Sequence, residues 1–122
     1  METLTKETTM NVQNMTSSNG NKVANQFTVI DDIGNEYFKS YNSIIAKIPK
    51  TYFSSNGLYQ KIELDSKYWN FSNTTSKYRN KFLNETTKET KAKIKSGQYK
   101  LVDLNKTPIS TETIIIADNG IA

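Results

Sequence analysis

Gln26-Phe27-Thr28-Val29-Ile30-Asp31-Asp32-Ile33-Gly34-Asn35-Glu36-Tyr37-Phe38 reads as strand, turn, strand. Phe27, Val29 and Ile30 favour extended backbone, and their run stops at Asp31-Asp32-Ile33-Gly34-Asn35. Gly34 supplies the positive φ that a tight reversal needs, and Tyr37 and Phe38 resume the apolar pattern, so the stretch predicts a β-hairpin. With a hairpin at its head, the folded part is expected to be built on antiparallel pairing.

Downstream, Tyr41, Ile44, Ile45 and Ile48 have a spacing that fits a short helix as well as a bent strand, while their composition favours the strand. Either a strand or a one-turn helix is expected there. Pro49 closes the segment by biasing Ile48 away from helical backbone. Lys50 to Gly57 reads as a loop carrying Tyr52 and Phe53, and Leu58 to Leu64 as a further strand with Ile62 and Leu64 on its core face. After Asp65, itself expected to cap a helical turn, the pattern turns helical. Ser72 is the N-cap, Tyr78 and Phe82 form an i,i+4 apolar pair, and Asn84 ends the helix. Thr86-Thr87-Lys88-Glu89 has capping-box spacing, which starts a second helix running from Thr87 to Ser96 with Gly97 as its stop. Gln98 to Leu104 returns to extended backbone, Pro108 breaks it, and Ile114-Ile115-Ile116 is expected as an edge strand or as a contact with a second copy.

These segments predict an α+β fold, a small mainly antiparallel sheet packed against two short helices. The expected organisation is a disordered, Thr- and Asn-rich arm over residues 1–25, a compact domain over 26–106, and a C-terminal extension over 107–122.

The 122 residues suit one domain, and the chain has neither Cys nor His. That excludes disulfides, thiolate nucleophiles, imidazole bases and the common zinc sites. Metal chemistry would rest on Asp31, Asp32, Glu36, Glu63 and Asp65, of which Asp31 and Asp32 are already accounted for by a turn and Asp65 by a cap. No glycine-rich phosphate loop is present. Neither an enzyme nor a cofactor is expected. With no long apolar run, the reading is a cytoplasmic protein without a membrane partner.

Charge is placed rather than spread. Lys67 to Lys106 holds ten of the sixteen Lys+Arg against Glu85, Glu89 and Asp103, a net +7 in a chain of net +4. Lys77, Arg79, Lys81, Lys88, Lys91, Lys93, Lys95 and Lys100 are the candidate surface for nucleic-acid phosphates or an acidic partner. On the second helix Lys88, Lys91 and Lys95 share one side. Tyr52, Phe53, Tyr68, Trp69 and Phe71 are the candidate interface anchors. The competing reading makes the lysines a solvated face and the aromatics core.

Four runs carry a resemblance: Asn35-Glu36-Tyr37-Phe38-Lys39-Ser40-Tyr41-Asn42-Ser43-Ile44-Ile45-Ala46, Leu64-Asp65-Ser66-Lys67-Tyr68-Trp69-Asn70-Phe71-Ser72, Thr74-Thr75-Ser76-Lys77-Tyr78-Arg79-Asn80-Lys81-Phe82-Leu83, and Ile94-Lys95-Ser96-Gly97-Gln98-Tyr99-Lys100. Over Gln26 to Asn105 the chain resembles small proteins encoded by phages, plasmids and other mobile elements of Gram-positive bacteria. The resemblance implies a binding protein acting on a host protein or nucleoprotein, CRISPR nucleases among the targets, and assigns no catalytic residue. The alternative expectation is a nucleic-acid binder without sequence preference. If that holds, replacing Lys88, Lys91 and Lys95 together with Ala weakens binding to unrelated sequences and flattens its salt dependence in a filter-binding titration. Unchanged affinity and slope would remove the helical row from consideration.

Overall fold

In the computed structural model, which describes residues 10–53 and 60–106, six strands form one sheet in chain order. They are β1 (Asn11–Thr16), β2 (Lys22–Ile30), β3 (Glu36–Ser40), β4 (Ser43–Ile48), β5 (Glu63–Asp65) and β6 (Lys100–Val102). Helices α1 (Asn73–Leu83) and α2 (Thr87–Lys95) lie in the connection from β5 to β6. All pairings from β1 to β5 are antiparallel, while β5 and β6 are parallel. A connection long enough for two helices brings the chain back in the direction it left. The expected α+β class is the one observed, with a single parallel pair added to the antiparallel sheet.

The hairpin of β2 and β3 forms as its sequence dictates. Asp31 Oδ1 accepts the amides of Ile33 at 3.1 Å and Asn35 at 2.9 Å, and Gly34 sits at φ +100°. The Tyr37 hydroxyl donates to Asp31 Oδ2 at 3.1 Å. Burial, reinforced by the Asp31 charge, pushes the Tyr37 phenol up to about 12.

One expectation is corrected, and one open alternative is decided. The predicted disordered arm does not extend over residues 11–25, which form β1, its turn and the first part of β2. β1 is an edge strand and exposes Asn11, Val12 and Gln13, so it lacks the apolar alternation that announces a strand; only Met15 reaches the core. Of the strand and the one-turn helix expected around Ile44, Ile45 and Ile48, the strand is the one observed, over Ser43–Ile48, and a bulge produces its helix-like spacing. Phe38 pairs with Ala46 and Lys39 with Ile44, so Ile45 is the extra residue. The bulge lets three consecutive residues be buried, Ile44 in one apolar cluster and Ile45 with Ala46 in the other.

The strand expected from Leu58 is confined, within the described residues, to Glu63–Asp65, and Lys50–Phe53 forms a single 3-10 turn. Leu58, Tyr59, residues 1–9 and the C-terminal extension with Ile114–Ile116 lie outside the described residues. The main core joins Met15, Phe38, Ile45, Ala46, Ile62, Leu64, Tyr78 and Tyr99, and Phe82 of α1 stacks on Phe38 with ring centroids 5.9 Å apart. Val29, Tyr37 and Ile44 form a second cluster, with Phe27 and Leu104 against it.

Both helices start and stop where their caps demand. The Ser72 side chain accepts the Thr75 amide, and Asn84 ends α1 in left-handed backbone at φ 58°. Thr86 and Glu89 complete the reciprocal capping box of α2, and Gly97 follows at φ +84°.

Asp65, 1% exposed at the end of β5, ties these parts together. Its Oδ2 accepts the amides of Lys67 at 3.0 Å and Tyr68 at 2.8 Å, turning the chain toward α1. Its Oδ1 accepts the Leu104 amide at 2.8 Å and the Asn105 side-chain amide at 3.0 Å, fixing the exit from β6. Asn105 in turn bonds both the amide and the carbonyl of Ile44, at 2.8 and 3.0 Å, where β5 has ended beside β4. Asp65→Ala leaves these donors unmatched and is expected to cost about 3 kcal/mol or more in urea unfolding. A cost under about 1 kcal/mol would show that solvent serves those donors equally well.

Candidate functional site

α1 is preceded by the turn from Ser66 to Phe71, and the fate of its aromatic residues is set by Arg79. That side chain is fully buried. Its guanidinium donates to the Trp69 carbonyl at 2.6 Å and Asn70 Oδ1 at 3.1 Å, and on the other side to Asn80 Oδ1 and Thr87 Oγ1, both at 2.8 Å. It also lies 5.2 Å from the centre of the Trp69 ring. Burial pushes its pKa down from the usual guanidinium range. Arg79, expected on a binding surface, is therefore corrected to an internal clamp that joins the turn, α1 and the start of α2. Trp69 is half-buried under that clamp and packs against the main core.

The other expected anchors separate. Tyr52 is half-buried against the core, and of the Phe53 side chain nothing is described. Tyr68 is half-buried and meets Phe71 edge to face, with centroids 5.4 Å apart. Phe71 stands 67% exposed.

Across from Phe71 stands Tyr41, 58% exposed at the tip between β3 and β4. Sequence reasoning assigned Tyr41 to an apolar segment and missed its exposed place at the tip; the available signal was its position, with Asn42, between two strand-forming runs. Tyr41, Tyr68 and Phe71 line a cleft of about 150 Å³ together with Ile45, Ser40, Ser43, Ser72 and Thr75. No charged side chain lines it. Ser40 and Thr75 face one another at 3.4 Å, which joins the sheet to α1 beneath the cleft.

Two unfavourable features meet at this corner. Tyr41 has φ 55°, in the left-handed region that costs a side chain with a bulky Cβ roughly 1–2 kcal/mol. Among the described residues the other non-glycine ones found there are Asn25 and Asn84, of a type that tolerates it. The Tyr41 amide donates to the Asn25 carbonyl at 2.7 Å, so two left-handed residues hold each other. Gln26, next to Asn25 and opposite Ser40 across the strands, is fully buried with neither side-chain amide atom hydrogen-bonded.

On its other side Tyr68 borders a second cavity, of about 220 Å³, with Lys67, Lys106, Asp65, Asp103 and Asn105 around it. It lies at the carboxyl ends of the parallel strands β5 and β6. The Lys67 ammonium is 5.2 Å from the centre of the Tyr68 ring.

Of the expected basic surface, Arg79 is internal and Lys93 half-buried, while Lys77 and Lys81 are exposed. Lys93 pairs with Glu85 at 2.7 Å, Lys81 bonds the Thr16 carbonyl, and Lys77 lies 5.4 Å from the centre of the Tyr78 ring. Lys88, Lys91 and Lys95 on α2 and Lys100 on β6 are exposed. None of these four has a carboxylate partner among the described residues. The five carboxylates considered for a metal do not converge: among the described residues no group of three acidic side chains is placed to hold an ion. No helix among them is long and apolar enough to cross a membrane.

Residues 10–98 match a family of unknown function (DUF8033), and the chain belongs to that family. No curated protein and no solved structure matches it.

Family membership supplies no residue roles, so chemistry has to be read from the side chains. Another buried, hydrogen-bonded carboxylate is Glu85, its side chain 4% exposed between α1 and α2. Its Oε1 accepts from Lys93 and from the Tyr99 hydroxyl, both at 2.7 Å, and its Oε2 accepts from Thr90 at 2.5 Å. Burial works against its charge, yet the bonds from Lys93, Thr90 and Tyr99 prevail and hold its pKa below the usual 4.5. Burial and the Glu85 charge push the Tyr99 phenol up. A carboxyl with a folded pKa below its unfolded one adds stability above the unfolded value and loses it as pH falls through the folded one. Glu85→Gln is expected to cost about 2 kcal/mol at pH 7, with the gap to wild type closing as the pH falls below 4.5. A gap that stays constant through that range in pH-dependent denaturation would contradict the assignment.

Proposed function

We propose that this protein is a non-catalytic binding module whose cleft between Tyr41, Tyr68 and Phe71 seats an apolar side chain of a partner protein. The observation that supports it most is the backbone of Tyr41. Glycine or asparagine would make the same turn without strain, so folding gives no reason for an exposed tyrosine there. Strain of this kind collects where a side chain has to be held in a particular place. The cleft has the volume for one apolar side chain, and its uncharged lining disfavours a charged one. Phe71 and Tyr41 at its rim are of the residue types that carry binding energy.

The resemblance to mobile-element proteins makes a host protein or nucleoprotein the partner to look for, CRISPR nucleases included. A second reading draws on α2, where Lys88, Lys91 and Lys95 span about 10 Å of helix. Such a row suits the phosphates of a nucleic-acid backbone without reading its bases.

Tyr41→Gly and Phe71→Ala separate the cleft from the fold. Tyr41→Gly relieves the left-handed strain, so its stability is expected to equal wild type or exceed it by up to about 1 kcal/mol. Phe71→Ala is expected to fall within about 0.5 kcal/mol. In affinity capture from host extract, the partner retained by wild type is expected to be lost from both variants and kept by the triple lysine variant. Retention by both cleft variants would reject the cleft, and loss only from the lysine variant would favour α2.

A further inference from the structure

The two cavities on either side of Tyr68 read as one groove, and we infer that it takes an extended acidic segment of the partner, an apolar residue followed or preceded two positions away by a carboxylate. The inference rests on the binding reading above and specifies the chemistry of what binds. Tyr68 is the shared wall: the apolar cleft with Tyr41 and Phe71 lies on one side and the polar cavity with Lys67 and Lys106 on the other. Side chains i and i+2 of an extended chain project on the same side about 6.6 Å apart, enough to straddle one tyrosine ring.

The charge of the second residue follows from which groups in the polar cavity are already matched. Asp65 has both oxygens filled by four protein donors and is 1% exposed, so it offers nothing to a ligand. Asp103 accepts the Asn105 amide at 2.9 Å. The Asn105 side chain is used up on Ile44 and Asp65. The ammonium groups of Lys67 and Lys106 are left, exposed and without a carboxylate partner among the described residues. Unmatched donors beside an apolar seat call for an acceptor of opposite charge. A phosphodiester strand fits less well, because its charge repeats at every nucleotide and the apolar cleft offers no cation to a second phosphate.

The test titrates ¹⁵N-labelled full-length protein with capped heptapeptides carrying leucine at the third position and glutamate, lysine or serine at the fifth, the remainder being glycine and serine. A thymidine dodecanucleotide serves as the nucleic-acid probe. The leucine–glutamate peptide is expected to shift the amides of Tyr41, Tyr68 and Phe71 together with Lys67 and Lys106. It should bind at least tenfold more tightly than the leucine–lysine peptide. In Lys67→Glu/Lys106→Glu, where both positions are exposed and the fold is retained, that preference is expected to reverse. Equal affinity for the glutamate and lysine peptides, with shifts confined to the cleft, would overturn the acidic motif and leave the binding cleft standing. Shifts at the groove from the oligonucleotide and from no peptide would overturn both.

Discussion

Asp65 is the point through which the separate pieces of this small protein constrain one another. A buried carboxylate needs several donors to offset the solvation it gives up, and here two come from the turn that follows it and two from Leu104 and Asn105, some forty residues on. The amides of Lys67 and Tyr68 fix how the chain leaves β5, those of Leu104 and Asn105 fix how it leaves β6, and Asn105 carries the constraint onward to Ile44. The direction of Tyr68, and with it the wall between the two cavities, follows from this one side chain. Arg79 plays the matching part on the far side of the turn, where it binds neutral oxygens of Trp69, Asn70, Asn80 and Thr87.

Two departures from local rules meet at the corner formed by Tyr41; the other buried side-chain atom without a partner among the described residues is Arg79 Nε. A tyrosine in left-handed backbone and a buried glutamine with an unmatched amide each cost stability. Conflicts between sequence and structure of this sort mark positions kept for something other than folding. Both sit beside the apolar cleft, which connects the binding proposal to a physical observation that composition does not contain.

The elements that could be read in the sequence are those whose signals are local. The Gly34 turn, the Ser72 and Thr86 caps, the Asn84 and Gly97 stops and the alternation of Ile62 with Leu64 all depend on neighbours within a few residues. What escaped depends on distant partners. β1 is polar because an edge strand faces water, and it becomes a strand only by pairing with β2. The bulge at Ile45 disguised a strand as a helical spacing. The inward turn of Arg79 is set by four oxygens gathered from three segments, so composition counted it as surface charge. The cleft was half legible: Tyr68 and Phe71 were singled out as anchors, while Tyr41 joins them only once β3 and β4 fold back on themselves.

Native-state hydrogen exchange of the Lys67, Tyr68 and Leu104 amides tests the central role of Asp65 most directly. All three lie outside strands and helices, and as ordinary loop amides they would exchange through local fluctuations. Held by Asp65, they are expected to exchange only on global unfolding, with protection equal to that of Phe38 and Ala46 in the centre of the sheet. Protection at the level of the exposed turn around Asn19 would contradict the account.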